Sequence, residues 1–225
     1  MIPIPEEARM HKSISFSQCG EDLIVDYIFK LRNIYNPTYI DIGAYHPYRL
    51  NNTAIFYHRG CKGINIEANP WLLESFKELR PNDINLNVGI SDYKGKLNFY
   101  FMYENTLSTF SKKEMEIMVK LNKQVAHIAK IKVTTINSII EKYTKNIFPD
   151  FLSLDAEGFD LKILQSINFL GNVPKVICVE SAEYSPLGAG APRNELIDFL
   201  ESKGYYRYAC TNLNSIMVKR DFWFS

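Results

Sequence analysis

The chain reads as an α/β protein on a doubly wound, mostly parallel sheet with a C-terminal antiparallel hairpin. Three observations predict this. Short apolar runs of strand length alternate with helical stretches, which is the rhythm of βαβ units. Five such runs end in an acid or an amide: Asp41, Glu67, Asn87, Asp155 and Glu180. Two extended runs flank Asn212-Leu213-Asn214, a turn that suits a hairpin.

Residues 1–16 read as an irregular N-terminal arm. Residues 21–32 predict a helix, because Leu23, Ile24, Tyr27, Ile28 and Leu31 recur at helical spacing. Glu21 and Asp22 suit its N-terminus, and Asn36-Pro37 ends it. Residues 39–42 are a strand, 52–59 a short helix closed by Gly60, and 63–66 a second strand. Pro70 opens a helix over 71–79. Residues 84–90 and 96–102 are further strands. Residues 112–130 predict a long amphipathic helix, with Met115, Met118, Leu121, Val125 and Ile128 near one face. Residues 131–135 follow as extended chain and 136–143 as a short helix. A strand over 151–154, a helix over 160–170 closed by Gly171 and a strand over 175–179 come next. A helix over 194–203 closed by Gly204 and strands over 205–211 and 215–219 complete the pattern.

With 225 residues, 46% of them apolar, one domain spanning 1–225 is expected, with 103–130 as an insertion or lid. A net charge of +1 excludes the basic footprint of a nucleic-acid binder. No apolar run approaches the roughly 20 residues a membrane span needs, and the first residues lack a signal-peptide core. Cys19, Cys61, Cys178 and Cys210 form no C-x-x-C pair and read as reduced thiols, so a cytoplasmic protein is expected. A homodimer is compatible with this composition. The sequon Asn51-Asn52-Thr53 carries little weight in such a compartment.

Parallel strand ends converge on one edge, where such sheets bind ligands. The dinucleotide fingerprint G-x-G-x-x-G is absent, since Gly43 stands alone. A pyrophosphate needs close backbone approach at several points; a ribose-bearing cofactor without phosphate does not. That favours S-adenosylmethionine. Glu67 would accept the ribose hydroxyls, Gly43-Ala44-Tyr45 would meet the amino acid end, and Asn87-Val88 would flank the adenine.

These residues, with their neighbours, resemble the FkbM family of S-adenosylmethionine-dependent methyltransferases. The resemblance is carried in order by Ser17-Gln18-Cys19-Gly20-Glu21-Asp22, Asp41-Ile42-Gly43-Ala44 and Asn52-Thr53. It continues through 63–70 (Gly63 to Pro70), Asn87, Ser91-Asp92 and Asp155-Ala156-Glu157-Gly158. It implies a class I methyltransferase fold and O-methylation of a sugar or natural-product hydroxyl, including nucleotide sugars and polysaccharides. It also implies cofactor contacts from Gln18, Asp41, Asn52, Thr53, Ala68 and Asp155. The chain departs from the family at Tyr45-His46-Pro47, at Ala68 and at Asp160. Alternative readings are an N-methyltransferase, an enzyme acting on a small phosphorylated precursor, or a non-catalytic nucleoside-binding module.

Methyl transfer to a hydroxyl needs an aligned acceptor and a proton acceptor. Asp155, Glu157 and His46 are the candidates. Asp155 and Glu180 are also a candidate pair for a divalent cation such as Mg²⁺. Glu157 serves equally well as a loop or helix cap, and a loop-stabilising or surface role is the favoured reading of His46. Ser17 either contacts substrate or caps the first helix. Ser108, in the polar loop 103–109, Tyr184 and Glu180 are assigned to the acceptor. The methionines of 112–130 line a lid or pack as core, and residues 185–192 read as a mobile loop beside the cleft.

Overall fold

The structure is a computed structural model that describes residues 5–9, 12–185 and 190–225. A single helical turn, α1 (Glu6–Arg9), lies within the expected irregular arm, and α2 (Glu21–Leu31) buries Val25, Ile28 and Phe29. Then come β1 (Tyr39–Ile42), α3 (Ala54–His58) and β2 (Gly63–Ile66). In α4 (Pro70–Leu79) proline occupies the first turn, and the Asn69 side chain accepts from the Trp71 N–H. The sequence continues through β3 (Ile84–Leu86), β4 (Gly89–Ile90), β5 (Gly95–Met102), α5 (Lys112–Lys120), β6 (Val125–Thr134), α6 (Ile136–Thr144) and β7 (Phe151–Leu154). It closes with α7 (Asp160–Ser166), β8 (Val176–Glu180), α8 (Asn194–Ser202), β9 (Tyr205–Cys210), β10 (Asn214–Lys219) and α9 (Arg220–Phe224).

Seven strands form the main sheet in the order β3-β2-β1-β7-β8-β10-β9. Strands β3, β2, β1, β7 and β8 pair in parallel. Their side chains alternate between two cores, as a sheet covered on both faces requires. Ile40, Leu152 and Ile177 face α6, α7 and α8, whereas Tyr39, Phe151 and Val176 face α2 and α3. Chain order reverses between β1 and β7, which places a switch point at the centre of the sheet. The predicted hairpin forms, but not as a simple edge: β10 inserts antiparallel between β8 and β9.

Several boundaries differ from expectation. The run 84–90 splits, because Gly89 and Ile90 leave the main sheet to pair with Val133 and Thr134 of β6. The predicted helix over 112–130 ends at Lys120, and Asn122 adopts a left-handed φ of 62°. The remainder is strand: His127, Ala129, Ile131 and Val133 alternate against Phe101, Phe99, Leu97 and Gly95 of β5. His127 therefore stacks on Phe101 rather than lying on the methionine-bearing helix. This β5–β6 hairpin, with α5 at its tip, forms a flap in a second sheet of order β4-β6-β5. Met118 packs with Met102 and Leu107 inside it. Helix α7 stops at Ser166, whose carbonyl accepts from Asn137 Nδ2, and Ile167 turns extended into the core. All four cysteines are free, with Cys61 and Cys178 buried. No described helix is long and apolar enough to cross a membrane. His11 and Gly188 lie outside the described residues.

Candidate active site

A cavity of about 410 Å³ opens at the carboxyl ends of β1, β2, β7 and β8. Of the residues predicted for the cofactor, Gln18, Asp41, Gly43, Ala44 and Tyr45 line it, and so do Asn52, Glu67, Ala68, Val88 and Asp155. Of those predicted for catalysis or the acceptor, Glu157, Ser108, Glu180 and Tyr184 line it too.

The Glu67 end of the cavity is held by a closed polar lattice. Glu67 follows β2, and its carboxylate accepts from the Tyr45 N–H at 2.9 Å and the Asn69 N–H at 2.7 Å. Burial pushes its pKa up to about 7 against those bonds. Asp41 lies inside β1 rather than at its end, and its Oδ2 accepts from Asn51 Nδ2 and the Thr53 hydroxyl. Gly43 is glycine for a reason other than ligand approach. Its φ is +76°, and an added Cβ would sit 1.8 Å from the Asp155 carbonyl oxygen.

Beneath this loop Arg80 is completely buried. It pairs with Asp83 at 2.8 Å and donates to Asn51 Oδ1, Thr53 Oγ1 and the Pro47 carbonyl. Asp83 also accepts from the Tyr39 hydroxyl, the Gly63 N–H and Asn65 Nδ2. Sequence reasoning missed Arg80, because an arginine closing a helix before Pro81-Asn82 carries no sign of burial.

The other end is acidic. Asp155, Glu157 and Glu180 each bring a carboxylate oxygen within 4.8 Å of the others. Arg193 reaches Glu180 at 3.3 Å, Asp160 at 3.7 Å and Glu114 at 3.9 Å. Asp160 takes the loop-fixing role considered for Glu157, accepting from the Ala156 and Gly158 N–H groups. Glu157 is left facing the cavity, with a left-handed φ of 46°. Asp155 is an exposed residue on the cavity wall. Removal from water, followed by repulsion from neighbouring carboxylates that include Asp160 in each case, raises the pKa values of all three, and Arg193 only partly opposes the shift. Arg193 and Glu114 also went unread, because either residue in a polar stretch looks like ordinary surface.

Four predicted site residues support the cavity instead of lining it. The Ser17 hydroxyl donates to Asp22 and accepts from the Gly20 N–H. Thr53 is buried against Asp41. Asn87 Nδ2 donates to the Glu67 and Ala68 carbonyls. His46 Nδ1 accepts from the Tyr48 and Arg49 N–H groups, which occupies the nitrogen a base would use. Burial and Arg49 also lower the His46 pKa. The first residue of α2 has a stitching role: Glu21 accepts from Thr211 Oγ1 and Asn214 Nδ2.

The sequence matches the methyltransferase FkbM domain over residues 41–206. Among solved structures it is similar to methyltransferase FkbM from Methylobacillus flagellatus KT. The two are 13% identical with a TM-score of 0.46, and the match covers 81% of this chain and 43% of that one. The chain thus spans less than half the length of that protein. No curated protein matches it.

Proposed function

The chain belongs to the FkbM methyltransferase family, and on that premise we propose that it transfers a methyl group from S-adenosylmethionine to a hydroxyl of a carbohydrate or related natural product. The observation that carries this reading is continuity: one cavity runs from Glu67 to the Asp155, Glu157 and Glu180 carboxylates. A module that only held a nucleoside would not need the second end.

The donor set fits the cofactor. Glu67 keeps lone pairs free for ribose hydroxyls, and Ala68, Leu72 and Val88 offer an apolar slot for adenine. The cofactor supplies an electrophilic methyl on a sulfonium. The chain's own residues align the acceptor and take its proton. Asp155 or Glu157, with pKa values raised above the usual carboxylate range, can hold that proton near neutrality. Three carboxylate oxygens this close also suit a hard divalent cation such as Mg²⁺. Asp155, Glu157 and Glu180 would hold it, and it would make an acceptor hydroxyl more acidic.

Calorimetry with S-adenosylhomocysteine tests the central reading. The intact protein should bind it, and Glu67→Ala should weaken binding by about tenfold or more. No binding by the folded protein would sink the proposal. For the cation, Mg²⁺ should raise the melting temperature at pH 8 in the parent protein and not in Glu180→Gln.

A further inference from the structure

We infer that Arg193 is a positioning residue that latches the β5–β6 flap over the acidic end of the cavity, with Glu114 of α5 as its catch. The use of a closed flap in methyl transfer rests on the reading above, whereas the latch itself is read from contacts alone. The guanidinium touches carboxylates from three elements: Glu180 ending β8, Asp160 opening α7 and Glu114 on the flap. The pair is sheltered, with the Arg193 side chain 12% exposed and that of Glu114 17%.

Both partners are fixed at their bases. The Arg193 N–H donates to the Ser181 carbonyl at 2.7 Å, and the Glu183 N–H donates to the Ala191 carbonyl at 2.8 Å just above it. Glu114 sits in the first turn of α5, where its N–H donates to the Ser111 hydroxyl. Its side chain crosses Gly158 so closely that an added Cβ there would lie 2.4 Å from Glu114 Cγ. Nearby, Thr109 Oγ1 donates to the Glu157 carbonyl at 2.7 Å. The flap thus lies directly on the loop that presents Asp155 and Glu157, and its residues Asn105 to Ser108 wall the cavity.

Charge makes the latch directional. With Arg193 in place, Glu114 is drawn toward Glu180 and Asp160. Without it, Glu114 loses the ion pair that draws the flap there. Lysine would keep the charge but could not span three carboxylates at once.

Hydrogen exchange on the free protein tests this without any ligand, so its result is independent of S-adenosylhomocysteine binding. In Arg193→Gln, amides of residues 103–120 should exchange about tenfold faster, with Arg193→Lys intermediate. Glu114→Gln should free the same segment, and adding Arg193→Gln to it should bring no further increase there. Unchanged flap exchange in folded Arg193→Gln and Glu114→Gln would overturn the inference, as would additive effects in the double variant. If Arg193→Gln does not fold, Glu114→Gln decides alone.

Discussion

Arg80 and Arg193 stand at opposite ends of one cavity and do different work. Arg80 is completely buried, and around it each formal charge meets a partner. Arg193 faces Glu114, Asp160 and Glu180, with Asp155 and Glu157 close by, and among the described residues no other cation pairs with any of these acids. At the Arg80 end the charge is matched within the protein. On the proposed function, the acidic end is completed from outside by a proton, a cation or an acceptor hydroxyl. On that function, a site that holds a methyl donor in place and must also activate an acceptor has reason to be built this way.

Removing Arg80 is the harshest test of the contrast. Arg80→Met strands Asp83 in the interior and should cost about 3–5 kcal/mol, read by urea denaturation. A loss below about 1 kcal/mol would show that the lattice is not preformed by this pair. At the other end the balance reverses. Asp155→Asn should lower turnover by about a hundredfold or more, once an acceptor is in hand, and leave folding stability unchanged or slightly higher. Matching losses in both properties would mean that Asp155 is structural.

The smallest effect is on pH dependence, and its sign follows from the raised carboxylates. A folded-state pKa above the unfolded value means that the folded protein binds more protons in between. The stability from Asp155, Glu157, Glu180 and Glu67 is therefore fully present below about pH 4. It is lost as pH rises through the raised values, which for Glu67 is about 7. The melting temperature should fall between pH 5 and pH 8, and Glu180→Gln should flatten that slope. A melting temperature that rises over this interval would contradict the crowding of the acidic end.

The strand frame was legible because β1, β2, β7 and β8 are short apolar runs bounded by turns, and their polar ends fall at one edge by geometry. What failed was arbitration between periods. Met115, Met118, Leu121, Val125 and Ile128 fit a helix, while His127, Ala129, Ile131 and Val133 fit a strand, and cross-strand partners in β5 decided for the strand. The lining of the site could be read from strand ends, but its supports could not. Arg80 and Arg193 acquire meaning only from carboxylates distant in sequence. His46 reads from sequence as a base or as a loop-stabilising histidine, and its bonds to the Tyr48 and Arg49 N–H groups give it the second role.

The topology also sets a timetable. The flap pairs β5 with β6 across residues 103–124, which contain α5, so it forms from one local stretch of chain early in synthesis. The centre of the main sheet must wait, since Thr38 and Asp150, which tie β1 to β7, are 112 residues apart. The wall contributed by Leu213 and Asn214, and the bond from Asn214 to Glu21 across 193 residues, wait longer still. A ribosome-bound chain truncated before β10 would carry a finished flap over an unfinished pocket. The ability to hold a ligand would then emerge abruptly, with the arrival of a strand that contributes little to the chemistry.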